Sequence, residues 1–184
     1  APEGARRPTR PSRDMRVSPL TQLHLQAGAR LSRGGEVLTY GDVPGEYRAA
    51  RDGACIFDHT RRGLLSVGGA DAVAFLHRLL ANEVRGLRPG QGNRNLLLSP
   101  KGKVRFDVDL ARLEDRLLLS TEPGLAAELR LALDTYLFAE KVELTDQTET
   151  HAPLDLCGPR ARAVVAELVG GVPDGDHAHA LGQF

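Results

Sequence analysis

The chain has no tryptophan, one methionine, two cysteines, and aromatic residues at only 4% of its 184 positions. An apolar content of 41% is still enough for a core in a chain of one-domain length. No apolar run approaches the roughly 18–20 residues of a membrane span. No segment has the charged, apolar and small-residue regions of a secretory signal. Neither sign of charge is in excess, since 24 basic residues face 24 acidic ones. That balance offers no global electrostatic footprint for nucleic acid or for a membrane surface. Cys55 and Cys157 stand alone, outside any Cys-x-x-Cys and without a histidine at ligand spacing, so neither a zinc site nor a disulfide framework is indicated. Gly-x-Gly-x-x-Gly, P-loop, His-Glu-x-x-His and Gly-x-Ser-x-Gly motifs are absent, which removes the usual support for dinucleotide, nucleotide, zinc-protease and serine-hydrolase chemistry. The expectation is a soluble, cytoplasmic protein with no metal site. High Arg, Ala and Gly with little Lys fits a GC-rich bacterial source.

What is present is a hairpin of unusual composition. From Pro89 to Asp107 the chain reads Pro-Gly-Gln-Gly-Asn-Arg-Asn-Leu-Leu-Leu-Ser-Pro-Lys-Gly-Lys-Val-Arg-Phe-Asp. Apolar runs flank the turn Ser99-Pro100-Lys101-Gly102, where Pro fixes φ and Gly accepts a positive φ. After the turn, Val104, Phe106, Val108 and Leu110 point one way, and Arg105, Asp107 and Asp109 the other. Such a strand can face a core and line a cavity at once, which makes Asp107 the first candidate site residue. The plainer alternative is a solvated sheet face.

Residues 1–14 hold three prolines and four arginines without a large apolar side chain, a composition expected to be disordered. The domain is expected over 15–171, with 172–184 as a flexible tail. Gly63 to Gly69 reads as a short strand ending in a glycine turn, followed by a helix with Val73, Leu76, Leu79 and Leu80 on one face. His77 on that helix reads as a surface or boundary histidine. A strand is expected at Arg116–Ser120 and a helix from about Gly124 to Leu137, with Leu125, Leu129, Ala132, Leu133, Tyr136 and Leu137 as its apolar stripe. Strands at 142–144 and 152–157 precede a helix carrying Ala161, Val164, Val165, Leu168 and Val169. Cys157 reads as a buried free cysteine, and His177 and His179 as solvated. Single helices between hairpin-joined strands indicate an α+β fold, a mostly antiparallel sheet with helices packed on one face.

From about Gly53 to Leu168 the chain resembles the folate-binding fold of the glycine cleavage T-protein (aminomethyltransferase) and the YgfZ family. The likeness is carried in order by Asp52-Gly53-Ala54-Cys55-Ile56-Phe57-Asp58, by Gly68-Gly69-Ala70-Asp71-Ala72 with Phe75-Leu76, and by Leu80-Ala81-Asn82-Glu83-Val84. The Pro100-Lys101-Gly102-Lys103-Val104 turn, Tyr136-Leu137-Phe138 with Lys141-Val142, and Leu156-Cys157-Gly158-Pro159 continue it. The T-protein's Gly-Gly-x-x-Asp-Asp run matches Gly102 to Asp107, where Phe106 takes the first acidic place and Asp107 keeps the second. Its Phe-Asp-Val-Ser-His-Met becomes Phe57-Asp58-His59-Thr60-Arg61-Arg62, and an aromatic position falls at Arg94. The turn and its flanks resemble YgfZ more closely. The YgfZ signature Lys-Gly-Cys-(Tyr/Phe)-x-Gly-Gln-Glu is absent, and the fold is expected to be incomplete at its C-terminus, as the N-terminal part of a longer family fold.

The resemblance implies a tetrahydrofolate-binding accessory protein that supports iron–sulfur cluster assembly or repair, with effects on enzymes that modify tRNA. The alternatives are a folate-dependent aminomethyltransferase and a remnant of the fold that binds nothing. The implied cofactor is tetrahydrofolate. The implied partners are reduced folate and iron–sulfur proteins, with no direct nucleic-acid or membrane contact. Asp107 would meet the pterin or its nitrogens, and Arg62, Arg94 and Arg105 the anionic tail.

Overall fold

The structure, a computed structural model, describes residues 18–181. The tail expected at 1–14 and the last three residues of the one expected at 172–184 lie outside them. Five strands form the main sheet in the order β5-β6-β7-β4-β8, with every pairing antiparallel. They are β4 (Gly63–Gly68), β5 (Gly92–Leu98), β6 (Val104–Arg112), β7 (Arg116–Thr121) and β8 (Glu143–Asp146). Two short pairs accompany them: β1 (Arg30–Leu31) with β2 (Val37–Thr39), and β3 (Cys55–Asp58) with β9 (Leu154–Cys157). The helices are α1 (Thr21–Gln26), α2 (Val43–Asp52), α3 (Ala72–Leu79), α4 (Ala126–Asp134) and α5 (Ala161–Val169).

The apolar period decides which face of the main sheet is covered. On β6, Phe106, Val108 and Leu110 are buried, as are Leu117 and Leu119 on β7 and Leu65 and Val67 on β4. They meet Phe75 and Leu76 of α3 and Leu129 and Leu133 of α4, all four fully buried. Each such side chain contributes about 1.5–3 kcal/mol by leaving water. Leu129 and Leu133 are one helical turn apart, so both point the same way, and α4 lies along β4 and β8. The α+β fold with helices on one sheet face is therefore as the pattern predicts.

The hairpin turn closes with Gly102 N–H donating to the Ser99 carbonyl at 2.9 Å, Gly102 holding φ +72°. Val104 is exposed, unlike the rest of its row, because the pairing register shifts between Leu97 and Leu98 at the hairpin tip. Helix α4 ends at Asp134, three residues short of the expected stripe; Tyr136 and Leu137 follow in turns and still lie against the core.

Residues 18–52 lack a strong period and owe their structure to capping and long-range bonds. The Asp42 carboxylate accepts from Gly45 N at 3.0 Å to start α2, with Pro44 in its first turn. Asp58 holds the N-terminal segment. Its carboxylate accepts from Thr60 N at 2.9 Å and Thr60 Oγ1 at 2.6 Å, from the Ser18 hydroxyl, and pairs with His24 Nε2 at 2.8 Å.

Two single-residue expectations change. Cys157 is exposed, since β9 lies outside the main sheet and pairs only with β3 among the described residues. His179 is tied to the body through its N–H to the Gly90 carbonyl (2.9 Å) and its Nε2 to the Arg112 carbonyl (2.8 Å). His77 is half-buried, the boundary position expected of it, and meets Glu83 at 3.3 Å across the end of α3.

Candidate functional site

The face of the main sheet opposite α3 and α4 carries charge. The β5–β6 register sets Leu96 across from Asp107 and Arg94 across from Asp109, and the β6–β7 register sets Asp109 across from Ser120. Directly opposed and diagonal side chains on one face are within reach of each other. Arg94 takes the diagonal. Its Nε donates to Asp107 Oδ1 at 2.9 Å and its terminal nitrogen to Oδ2, a two-pronged pair that suits guanidinium and carboxylate geometry. Asp109 is left to Arg62, which reaches over from the loop before β4, donating to Asp109 Oδ2 at 2.9 Å and to Ser120 Oγ at 3.0 Å. Two arginine–aspartate pairs thus stand side by side on a half-wet sheet.

Hydrogen bonds from Arg94 hold the Asp107 carboxyl below the usual carboxylate range; slight burial opposes them, and the charges of Arg94 and Arg62 reinforce them. Asp107 is 38% exposed, so solvent screens the pair. It is an acceptor and a fixed negative charge at neutral pH, and a weak proton acceptor. It could stabilise a cationic group brought against it more readily than it could remove a proton.

Asp107 and Arg94 line an open cleft of about 440 Å³ with Ala81, Asn82, Asn95 and Leu96. Ala81 and Leu96 supply apolar wall, and the Ala81 N–H donates to the Leu96 carbonyl at 3.0 Å, which fixes the loop after α3 to β5. Asn95 is 1% exposed on the core-facing row of β5, where its Oδ1 accepts from Asn82 N at 2.8 Å. Its amide nitrogen donates to Asn93 Oδ1 at 3.1 Å. It is a buried brace for the rim, and Asn82 completes the rim by donating to the Arg94 carbonyl at 3.2 Å.

Of the four expected site residues, Asp107 and Arg94 meet in the cleft, and Arg62 stands beside them on Asp109. Arg105 is apart: its guanidinium lies over the Phe106 ring at 5.5 Å to the centroid. Asn82 and Asn95 are the rim residues not singled out from sequence. An asparagine at an inward register position, between Asn93 and Leu97, is the signal that marks Asn95. Among the described residues, no three His, Cys, Asp or Glu side chains converge as a metal site, and no helix is long and apolar enough to cross a membrane.

The model of the GCVT N-terminal domain family matches residues 35–180. The chain is 33% identical to sarcosine oxidase subunit alpha from Corynebacterium sp. over 185 residues, covering 92% of this chain and 19% of that protein. It is 33% identical to the aminomethyltransferase of Thermus thermophilus over 160 residues, covering 84% of this chain and 46% of that one. The crystal structure of the glycine cleavage system aminomethyltransferase T from Bartonella henselae matches with a TM-score of 0.77 and 30% identity. That match covers 87% of this chain and 45% of the other. The chain spans less than half the length of each of these relatives.

Proposed function

Because the chain belongs to the GCVT N-terminal domain family and has the glycine cleavage T-protein fold, we propose that it binds reduced folate in the Arg94–Asp107 cleft and serves one-carbon transfer at an amine nitrogen. The observation that carries this is the ionised Asp107, held by Arg94 beside the apolar wall of Leu96 and Ala81. The names of the relatives agree with it, since aminomethyl groups and sarcosine both carry a one-carbon unit on an amine nitrogen. The residues suit a folate: a carboxylate acceptor for a ring rich in N–H donors, an apolar wall for its face, and arginines for an anionic tail. Bound reduced folate would supply the nitrogen that exchanges the one-carbon unit. Asp107 would orient the ring and favour positive charge next to it, and Arg94 would keep Asp107 ionised and aimed. Arg62 would hold the neighbouring strand residues in place, and Arg105, free of the cleft, would reach only a tail that runs out along β6. The open cleft leaves one side of any ligand in water, which predicts modest affinity.

A second reading is a folate-binding accessory protein of the YgfZ type, cytoplasmic, with iron–sulfur proteins as clients. One observation favours it: Arg94 engages both oxygens of Asp107 and so offsets the charge a transfer site would use. Phe106 in place of an acidic residue does not, because it is 4% exposed and faces the core, where an aspartate would be no part of the cleft.

Calorimetry with tetrahydrofolate on the parent and on Asp107→Asn tests the site. Loss of one charge-assisted contact corresponds to about 10–100-fold weaker binding. Equal affinity for the two proteins would remove Asp107 from the site. An aminomethyl-transfer assay then separates the readings, since turnover supports transfer and binding without turnover supports the accessory role.

A further inference from the structure

We propose that Cys55 and Cys157 form an oxidisable thiol pair, a modification site independent of the folate reading. Cys55 opens β3, Cys157 closes β9, and the two are direct partners in the antiparallel register. Opposed residues in such a ladder have Cα atoms about 4.5 or 5.5 Å apart, with both side chains on one face of the sheet. Disulfides span Cα separations of roughly 4.4–6.8 Å, so the register places the two cysteines within reach of a bond that needs only a small approach of the side chains.

The backbone of both segments is tied down just beyond the pair. Arg160 N–H donates to the Gly53 carbonyl at 3.0 Å, and Gly158 lies so close to that carbonyl that a Cβ on it would sit 2.5 Å away. The segments that deliver the two thiols are therefore locked to each other immediately outside the cysteines. Both cysteines are free, Cys157 exposed and Cys55 partly so, which admits a small reagent.

The co-reactant is a low-molecular-weight disulfide. The Cys157 thiolate attacks one of its sulfurs, forming a mixed disulfide and releasing the first small thiol. The Cys55 thiolate then attacks Cys157 Sγ, forming the cross-strand bond and releasing the second. The protein loses two electrons and two protons, and the reagent leaves as two thiols. In a reducing compartment the pair would stay open and close under oxidative load. Once closed, it encircles about one hundred residues, a loop long enough for the bond to restrain the unfolded chain strongly.

The test is to incubate the reduced chain with oxidised glutathione, then to measure intact mass, non-reducing peptide maps and thermal unfolding. The expected product is lighter by about 2 Da, the mass of two hydrogens lost on closure. It should yield one linked peptide pair containing Cys55 and Cys157. Its unfolding midpoint should rise by about 5–15 °C, the rise being reversed by dithiothreitol and absent in Cys55→Ser and Cys157→Ser. A lasting glutathione adduct at Cys157, a disulfide-linked dimer, or two thiols that remain alkylatable would overturn the proposal, and none of these depends on the variants folding.

Discussion

Replacing Asp58 with asparagine should loosen the N-terminal segment and make stability less dependent on acid. Burial by itself would raise the Asp58 carboxyl, whose side chain is only 9% exposed. The hydrogen bonds from Ser18, from the Thr60 hydroxyl and backbone, and from His24 outweigh it and lower the carboxyl from 3.8 to about 2. One pKa unit corresponds to about 1.4 kcal/mol, so the ionised group contributes roughly 2 kcal/mol. Because the folded value is the depressed one, that contribution is complete above about pH 4 and is lost as pH falls toward 2. Asparagine keeps the shape and can still accept from Thr60, but it loses the charge that Ser18 and His24 meet. Urea unfolding of parent and Asp58→Asn at a series of pH values gives the difference directly, with acid effects elsewhere cancelling. The gap should be about 2 kcal/mol at pH 7 and shrink below pH 4. Amide exchange at Leu20–Ala29 should quicken in the variant at pH 7, since Ser18 and His24 are its anchors. A gap that stays constant from pH 6 to pH 2.5, or one below 0.5 kcal/mol at neutral pH, would refute the reasoning.

Three substitutions elsewhere test the packing. Leu129→Ala removes a fully buried side chain between α4 and the sheet, and should cost about 2–5 kcal/mol in denaturant unfolding without altering the slope of the transition. Gly69 and Gly102 both hold positive φ, but a Cβ at Gly69 would sit 2.1 Å from the Lys141 carbonyl, whereas at Gly102 it meets nothing within 4 Å. Gly69→Ala should therefore lower the unfolding midpoint several-fold more than Gly102→Ala, for which about 1–2 kcal/mol of backbone strain is expected.

The sheet that carries the site was legible because a period of two is local information. Val108 and Leu110 alternate with Asp107 and Asp109, and the turn at Ser99–Gly102 fixes which strand lies alongside. The same turn nearly fixes the Arg94–Asp107 diagonal, and only the shift at Leu97/Leu98 has to be known to count across the hairpin. Asn95 was hidden because a polar residue in an inward row looks like a break in the pattern until its partner, the Asn82 backbone, is in place. The Cys55–Cys157 pairing and the Asp58 cluster were out of reach for another reason. They join β3 to β9 and Ser18 to Asp58, and pairings across such separations leave no periodic trace in either segment.

The pairing of β3 with β9 also sets a schedule for synthesis. At ~5–20 residues per second, the ribosome needs on the order of 5–20 seconds to add the about one hundred residues between the two strands. Throughout that interval Cys55-Ile56-Phe57 lacks its strand partner, and Ile56 and Phe57 remain on the surface even in the finished fold. A short apolar strand waiting without a partner is a template for pairing with another chain. The nascent chain is thus open to self-association at β3 until β9 is made.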